Sequence, residues 1–321
     1  DDGVPGDGVR RALASALSMQ DAMSAFRAIR TPVGSEVSLS MKVALAAGSV
    51  SRFLVGDPEV RVMDVIAGNT MERLAAAEHV AERGETIVAD CAAEILTENV
   101  TFVATRSDHD GRPCRVLGAL EQPIEPLPWP MVSTDPIDEG DIRAWLVPAV
   151  YERLQQGHGE FLAELRPTAA LFLRFEGIDY DEDPDADNKL DAYVRWVQKI
   201  VDRHQGTMFE IHFGDKGSYF FVDFGAPVAY EDDTARAANT ALDLLRMPPE
   251  LSYIDHVQIG LSSGRTRVGP YGGAAHRTYG VLGDEVNLAA RLMTAAEPGQ
   301  ILASSVFQRQ LTDEFLSLIH I

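Results

Sequence analysis

The chain has 321 residues, 45% of them apolar, and is long enough for about two domains with hydrophobic cores. Its 49 acidic residues outnumber 28 basic ones and give a formal net charge of −21, which would repel nucleic acid and anionic membranes. We therefore predict no partner of either kind. Cys91 and Cys114 are too few for a disulfide framework and indicate a cytoplasmic protein. No apolar run reaches the roughly 18 residues that a membrane span needs.

Residues 1–122 are predicted to form a first, incomplete domain. The expected elements are a helix over 9–29, strands over 42–47 and 51–55, a helix from the Gly68 turn to about 81, and strands over 85–89, 100–105 and 114–120. This order is typical of the later part of a domain. Since the first residue is Asp1 and not Met, we expect the domain to be truncated at its N-terminus.

Residues 123–166 are predicted to be a linker. Prolines are concentrated over 123–130, and an amphipathic pattern over 142–165 predicts a connecting helix in which Gly157 and Gly159 are potential breaks.

Residues 167–321 are predicted to form a second domain. The expected elements are a strand over 169–175, a helix over 190–203, a hairpin of 208–213 and 218–224, a helix over 234–245 and a strand over 257–262. This order predicts an α+β fold, an antiparallel sheet with helices packed on it.

The most informative segment is 279–292, where an apolar strand turns at Gly283 into a helix that carries Asn287 and Arg291. Residues four apart share one helix face, and an amide beside a guanidinium suits a ribose and a phosphate. A second copy of the pattern begins at Met63, and the two copies align with Gly68 on Gly283. A repeat of this length indicates a duplicated domain.

Several motifs of the second domain resemble class III nucleotidyl cyclases. The motifs are 205–207, 213–217, 260–264, 281–291 and 297–302, while 64–77 resembles the degenerate partner domain of the soluble adenylyl cyclase type. The resemblance implies two paired ferredoxin-like cyclase homology domains, with the site at their interface. It also implies conversion of ATP or GTP to a 3′,5′-cyclic nucleotide and pyrophosphate for intracellular signalling, and a downstream effector or regulatory domain in the parent protein.

The same resemblance assigns roles to individual residues. Asn287 would orient the ribose, and Arg291 would stabilise charge on the α-phosphate. Glu210 and Gly280 occupy the two base-reading positions. A carboxylate suits the N1 and amino donors of guanine, so Glu210 favours GTP, whereas Gly280 has no side chain and leaves the choice open.

Departures from the family pattern concern the metal site. Mg²⁺ or Mn²⁺ is expected as cofactor, but Arg174 stands where the first-strand aspartate belongs, and Asp215 alone makes a poor ligand set. In the first domain Glu72 and Ala76 replace the Asn287 and Arg291 pair. We therefore predict one pseudo-site and one competent site, of which this chain carries half, with the metal ligands upstream of Asp1.

Alternatives remain open at each position. The parent could be a catalytically inactive regulatory module that senses a nucleotide or an anion for a downstream effector. Arg73 is a possible anion ligand, as for bicarbonate in the soluble cyclases, or an ordinary helix-surface arginine. Glu210 could be an exposed strand residue, and Asp215 could be a turn residue.

Overall fold

The computed structural model describes residues 6–96, 99–125, 127, 139–157, 163–214, 217–273 and 277–311. It divides into two compact units, the first with Asp1–Ser51 and Ile66–Thr134 and the second with Arg52–Val65 and Asp135–Ile321. The sequence-based boundaries stay a prediction. Residues 52–65 nevertheless pack with the second unit, although they lie inside the predicted first domain.

The first unit is built on a four-stranded sheet of order β3-β6-β8-β7. The elements along the chain from Asp7 are α1 (Asp7–Met23), β1 (Ile29–Arg30), β2 (Glu36–Val37), β3 (Val43–Leu45), β4 (Ser51–Val55), β5 (Met63–Ala67), α2 (Asn69–Val80), β6 (Thr86–Ala89), α3 (Asp90–Ala93), β7 (Val100–Ser107) and β8 (Pro113–Leu120). Of these, β4 and β5 lie mostly within residues 52–65, which belong to the second unit. Leu13 and Ala16 of α1 are buried against Val88 and Leu117 of the sheet. Strands β4 and β5 form a separate two-stranded sheet.

The second unit is built on a six-stranded sheet of order β10-β11-β9-β12-β13, with β14 added beside β12. Its elements are α4 (Glu139–Trp145), α5 (Pro148–Gln155), β9 (Glu164–Glu176), α6 (Ala186–Arg203), β10 (Thr207–Gly214), β11 (Gly217–Phe224), α7 (Asp233–Leu244), β12 (His256–Gly272), β13 (Arg277–Leu282), α8 (Asp284–Ala295), β14 (Ile301–Ala303) and α9 (Ser305–Gln310). Neighbouring strands are antiparallel except β14, which is parallel to β12. The predicted α+β fold is confirmed.

Strand β9 is the central strand of this sheet, and both of its faces are apolar. Residues 168–173 are buried in succession, which is typical of a strand covered on both sides. Helix α6 covers one face with an apolar stripe at helical spacing that includes Leu190, Tyr193, Val194 and Val197, and the Tyr193 ring contacts Phe175 of β9.

The predicted helix over 142–165 is wrong. The structure has two short helices, α4 and α5, and β9 already begins at Glu164. Pro148 starts α5, because a proline has no amide hydrogen to continue α4. Gly157 then adopts a left-handed φ of 74°, two residues after α5 ends. Within the described ranges, no helix has the combined length and apolar character of a membrane span.

Helix α8 lies unusually close to β12 at Gly260. A Cβ atom built on Gly260 would overlap the Ala289 carbonyl oxygen and the Met293 amide nitrogen, and would lie 3.0 Å from the Leu292 carbonyl carbon. Only glycine permits this approach of helix backbone to strand backbone. Ser262 also donates a hydrogen bond to the Glu285 carboxylate in the first turn of α8. The helix that carries Asn287 and Arg291 is therefore held firmly on the sheet.

We expect Gly260→Ala to lower the free energy of unfolding by about 3 kcal/mol, because the added methyl group forces α8 away from β12. Urea unfolding followed by circular dichroism measures this change. Gly273→Ala is the matched control, since no atom of another described residue, its chain neighbours aside, lies within 4 Å of a Cβ there. Equal stability of the two variants would contradict the close approach.

Asp223, the residue before the end of β11, has a fully buried carboxyl group. Neither of its oxygens has a hydrogen-bond partner among the described residues. The nearby Thr168 hydroxyl forms a hydrogen bond with Thr266 Oγ1 at 3.0 Å. Thr168 also lowers the pKa of Asp223, but by less than burial raises it. Burial raises the pKa of Asp223 well above its ordinary value, and the neighbouring Asp233 adds to this shift. Asp223 is therefore best accommodated in its neutral form.

A raised carboxyl pKa in the folded state means that stability falls as the pH rises above the unfolded pKa of about 4. We expect Asp223→Asn to remove this dependence. The variant should gain roughly 1–3 kcal/mol relative to wild type at pH 7 and much less at pH 4. Urea unfolding at both pH values measures the difference, with the exposed Asp255→Asn as control. A gain that is the same at pH 4 and pH 7 would disagree with a buried neutral Asp223.

Candidate functional site

The sequence-predicted pair Asn287 and Arg291 lies on the outward face of α8. Both residues are exposed, whereas Ala289, Ala290 and Met293 of the same helix are buried against the sheet. Gly283 precedes the helix, and its first turn carries Asp284 and Glu285. Neither Asn287 nor Arg291 makes a side-chain hydrogen bond or ion pair with another residue in the described part of the chain. Both polar groups are thus available to a ligand.

Glu210 lies on β10, over the same face of the sheet as α8. The β10–β11 register places Glu210 opposite Phe221, which belongs to the buried cluster that contains Ala289 and Ala290 of α8. The Glu210 carboxylate contacts His212 Nε2 at 2.6 Å and accepts a hydrogen bond from the Tyr271 hydroxyl at 3.3 Å. The contact with His212, the Tyr271 hydrogen bond and the charge of Arg61 lower the pKa of Glu210, so the carboxylate is ionised.

Gly280 is covered by the ring of Tyr271. A Cβ atom on Gly280 would lie 2.7 Å from Tyr271 Cε1. The two residues are diagonal neighbours on the β12–β13 pair, because Gly280 is opposite Gly269 and Tyr271 is two residues further along β12. Sequence reasoning missed Tyr271. A glycine placed diagonally to an aromatic residue across a hairpin is the one signal that could have indicated it.

A cavity of about 330 Å³ adjoins Glu210. It is lined by Arg61, Val62, Met63, Asp64, Val65, Trp145, Phe209, Glu210, Ile211 and His212. All of these residues belong to the second unit. The cavity therefore combines charged groups of both signs with apolar walls.

Arg61 joins residues 52–65 to β10 within the second unit. Its guanidinium donates to the Phe209 carbonyl oxygen at 2.8 Å and to the Trp145 carbonyl oxygen at 3.3 Å. Burial lowers the pKa of Arg61, and the charge of Glu210 opposes this shift. Gln198 of α6 contributes to the same attachment, since its side-chain amide donates to the Arg61 carbonyl oxygen at 2.7 Å.

Arg174 occupies the position where the resemblance expects a metal-binding aspartate. It lies on β9 opposite Tyr219 and forms an ion pair with Glu176. Glu176 also contacts His256 at 3.1 Å. Within the described ranges no group of three or more His, Cys, Asp or Glu side chains could hold a metal ion. Asp215, the other doubtful ligand, lies outside the described residues.

Arg73, the possible anion ligand, is half-buried on α2. Its Nε donates to Asn69 Oδ1 at 3.2 Å, and its Nη1 lies 4.0 Å from Asp90 Oδ1. A nearby carboxylate competes with a bound anion for the guanidinium, so the anion role stays a prediction. At the two positions aligned with the Asn287 and Arg291 pair, Glu72 is exposed and Ala76 is buried.

Comparisons with known proteins bear on these sites. Residues 188–318 match the family model described as "Adenylate and Guanylate cyclase catalytic domain". Adenylate cyclase type 10 of Homo sapiens is 28% identical over 178 residues, which are 54% of this chain and 11% of that protein. Adenylate cyclase type 10 of Rattus norvegicus is 22% identical over 297 residues, 84% of this chain and 18% of that protein. The chain thus spans less than a fifth of the length of these curated relatives.

Solved cyclase structures match about half of the chain. The adenylyl cyclase CyaB from P. aeruginosa matches with a TM-score of 0.42 and 23% identity, covering 46% of this chain and 82% of that one. The guanylate cyclase domain of RhGC from Catenaria anguillulae, in complex with GTP, matches with a TM-score of 0.41 and 24% identity, covering 47% and 84%.

Residues 188–318 of the second unit therefore match the adenylate and guanylate cyclase catalytic domain, in agreement with the resemblance that the sequence motifs indicate. Over a longer stretch the chain is similar to adenylate cyclase type 10, which is consistent with the predicted resemblance to tandem cyclases of the soluble type.

We expect Gly280→Ala to lower the free energy of unfolding by about 1–3 kcal/mol, because the added methyl group meets the Tyr271 ring. In a Tyr271→Ala background the same change should cost little, since the ring is gone. Urea unfolding of the two single variants and the double variant gives the coupling between the positions. Additive effects would show that the ring does not cover Gly280.

Proposed function

We propose that this chain supplies the ribose, phosphate and base contacts of a nucleotidyl cyclase that converts a nucleoside triphosphate to a 3′,5′-cyclic nucleotide and pyrophosphate. The observation that carries the proposal is the exposed Asn287 and Arg291 pair on α8, whose side chains have no hydrogen-bond or ion-pair partner among the described residues. The pair lies inside the segment that matches the cyclase catalytic domain. As the resemblance implies, a second cyclase homology domain would complete the site.

The chemistry requires charge stabilisation at the α-phosphate. The ribose 3′-oxygen attacks the α-phosphorus atom and loses its proton, while the bond from the α-phosphorus to the bridging oxygen of pyrophosphate breaks. Negative charge accumulates on the α-phosphate oxygens as the new bond forms. The Arg291 guanidinium is permanently charged and presents several donors, so it can stabilise this charge.

Asn287 has a positioning role in this proposal. Its amide lies one helical turn before Arg291 on the same face of α8, and it can hydrogen-bond the ribose while Arg291 holds the phosphate. A fixed ribose keeps the 3′-hydroxyl in line with the leaving pyrophosphate. The ionised Glu210 favours GTP, because guanine offers N–H donors where adenine offers an acceptor.

Mg²⁺ or Mn²⁺ is the cofactor that the resemblance implies, and the residues at the first-strand position do not fit it. Arg174 is a cation, and its Nε is buried without a hydrogen-bond partner among the described residues. Its ion pair with Glu176 also occupies the nearest carboxylate. We therefore assign no step to a metal at this position. Metal ligands supplied by other residues stay a prediction.

A second candidate function is a catalytically inactive module that binds a nucleotide or an anion. The Arg174 and Glu176 ion pair favours it, because a guanidinium replaces the expected metal ligand. Such a module would bind GTP or ATP without forming a cyclic nucleotide. Binding and turnover measured on the same preparation distinguish the two functions.

We expect the purified protein, expressed with the sequence that flanks this chain naturally, to form cyclic GMP faster than cyclic AMP with Mg²⁺ or Mn²⁺. Arg291→Ala should lower kcat by about 10²–10³-fold, because one group that stabilises transition-state charge is lost. Asn287→Ala should lower kcat by about 10²-fold through misplacement of the ribose. Product formation is measured by chromatography with GTP and ATP in parallel.

Arg309→Ala is the matched control, an exposed arginine on another helix. Turnover that Asn287→Ala and Arg291→Ala do not lower would show that the site is elsewhere. Nucleotide binding without turnover in the wild-type protein would favour the sensor. A strong preference for ATP would remove Glu210 as the base-reading residue.

A further inference from the structure

The Tyr271 hydroxyl stands where Gly280 offers no side chain. Gly280 is one of the two positions that the resemblance assigns to base reading, and glycine can read nothing. The structure covers this glycine with the Tyr271 ring and directs the ring hydroxyl to Glu210 Oε1 at 3.3 Å. The Tyr271 hydroxyl on β12 thus lies beside the Glu210 carboxylate, where position 280 on β13 has no side chain.

The two groups differ in their hydrogen-bonding character. The lowered pKa of Glu210 makes its carboxylate an acceptor only. Burial and the charge of Glu210 raise the pKa of Tyr271, so its hydroxyl keeps its proton and can donate. At 3.3 Å the bond between them is long for an O–H···O contact, and its exchange for a ligand contact costs little.

We propose that Tyr271 is a specificity-determining residue that donates a hydrogen bond to the 6-oxo group of a purine nucleotide while Glu210 accepts from the adjacent N1–H. This inference rests on the proposed function and names its substrate class, a 6-oxopurine nucleoside triphosphate. A carboxylate has about four lone-pair positions, so Glu210 can accept from the base and keep its contact with His212.

Adenine does not match this pair of groups. Its N1 is an acceptor and would face the Glu210 carboxylate, leaving a buried acceptor without a donor. Its 6-amino group is a donor, so adenine lacks the 6-oxo acceptor to which the Tyr271 hydroxyl would donate. Sites built to hydrogen-bond a particular edge reject an analogue that leaves their polar groups unpaired.

The test combines Tyr271→Phe with nucleotides that differ only in the base edge. Phenylalanine keeps the ring over Gly280 and removes the hydroxyl alone. The substrates are GTP, inosine triphosphate, which keeps the 6-oxo group and N1–H without the 2-amino group, and 2-aminopurine riboside triphosphate, which keeps the 2-amino group but has neither the 6-oxo group nor N1–H. We measure the Kd by calorimetry and kcat/KM by product formation with each nucleotide.

The expected result is a loss of about 3–10-fold in affinity and kcat/KM for GTP and inosine triphosphate, the effect of one hydrogen bond. The 2-aminopurine nucleotide should change less than about twofold, because it has no 6-oxo group to lose. kcat should stay near its wild-type value, since the hydrogen bond holds the base in the ground state and the transition state alike. Tyr253→Phe is the control, because its hydroxyl donates to the Lys189 carbonyl oxygen instead.

Equal losses for all three nucleotides would show that the hydroxyl only shapes the pocket, and no loss for GTP would show that it does not contact the base. Either result overturns the role of Tyr271 and leaves the proposed function standing, provided that the wild-type protein binds GTP. If the wild-type protein binds neither GTP nor ATP, the proposed function fails, and the inference fails with it.

Discussion

The close approach of α8 to β12 at Gly260 is the constraint on which the candidate site depends. With no side chain at this position, helix backbone lies against strand backbone, and the rotation of α8 about its axis is thereby determined. The buried side chains Ala289 and Met293 then face the sheet. Because the helical period is 3.6 residues, Asn287 and Arg291 are left on the exposed face. Ser262 and Glu285 add a polar attachment at the start of the helix.

A second set of contacts organises the region around Glu210. The Glu210 carboxylate is held by His212 and Tyr271, and Arg61 of residues 52–65 reaches the backbone beside it. These groups come from three separate stretches of sequence that all belong to the second unit. A carboxylate with several partners is both ionised and oriented, which suits recognition of N–H donors on a base. The proposed preference for a 6-oxopurine follows from this arrangement.

The α8 residues and the first-strand position point to different functions. Residues 188–318 match the cyclase catalytic domain, and the Asn287 and Arg291 pair is intact and exposed. At the first-strand position, however, Arg174 is engaged by Glu176, which excludes that position as a cation site in its present form. Turnover therefore requires metal ligands, whereas simple nucleotide binding does not. The same α8 residues, Asn287 and Arg291, would contact the nucleotide in either case.

Local sequence patterns determined the α+β class, most strand and helix positions and the placement of Asn287 and Arg291 together, because alternation, helical spacing and glycine turns act over a few residues. They misassigned the helix over 142–165, where Pro148 and Gly157 overrode the amphipathic pattern. Only the tertiary structure decided that residues 52–65 pack with the second unit, that Arg174 pairs with Glu176 and that Tyr271 joins Glu210 over Gly280. Each of these depends on side-chain contacts between strands or on packing between distant segments, which no local periodicity encodes.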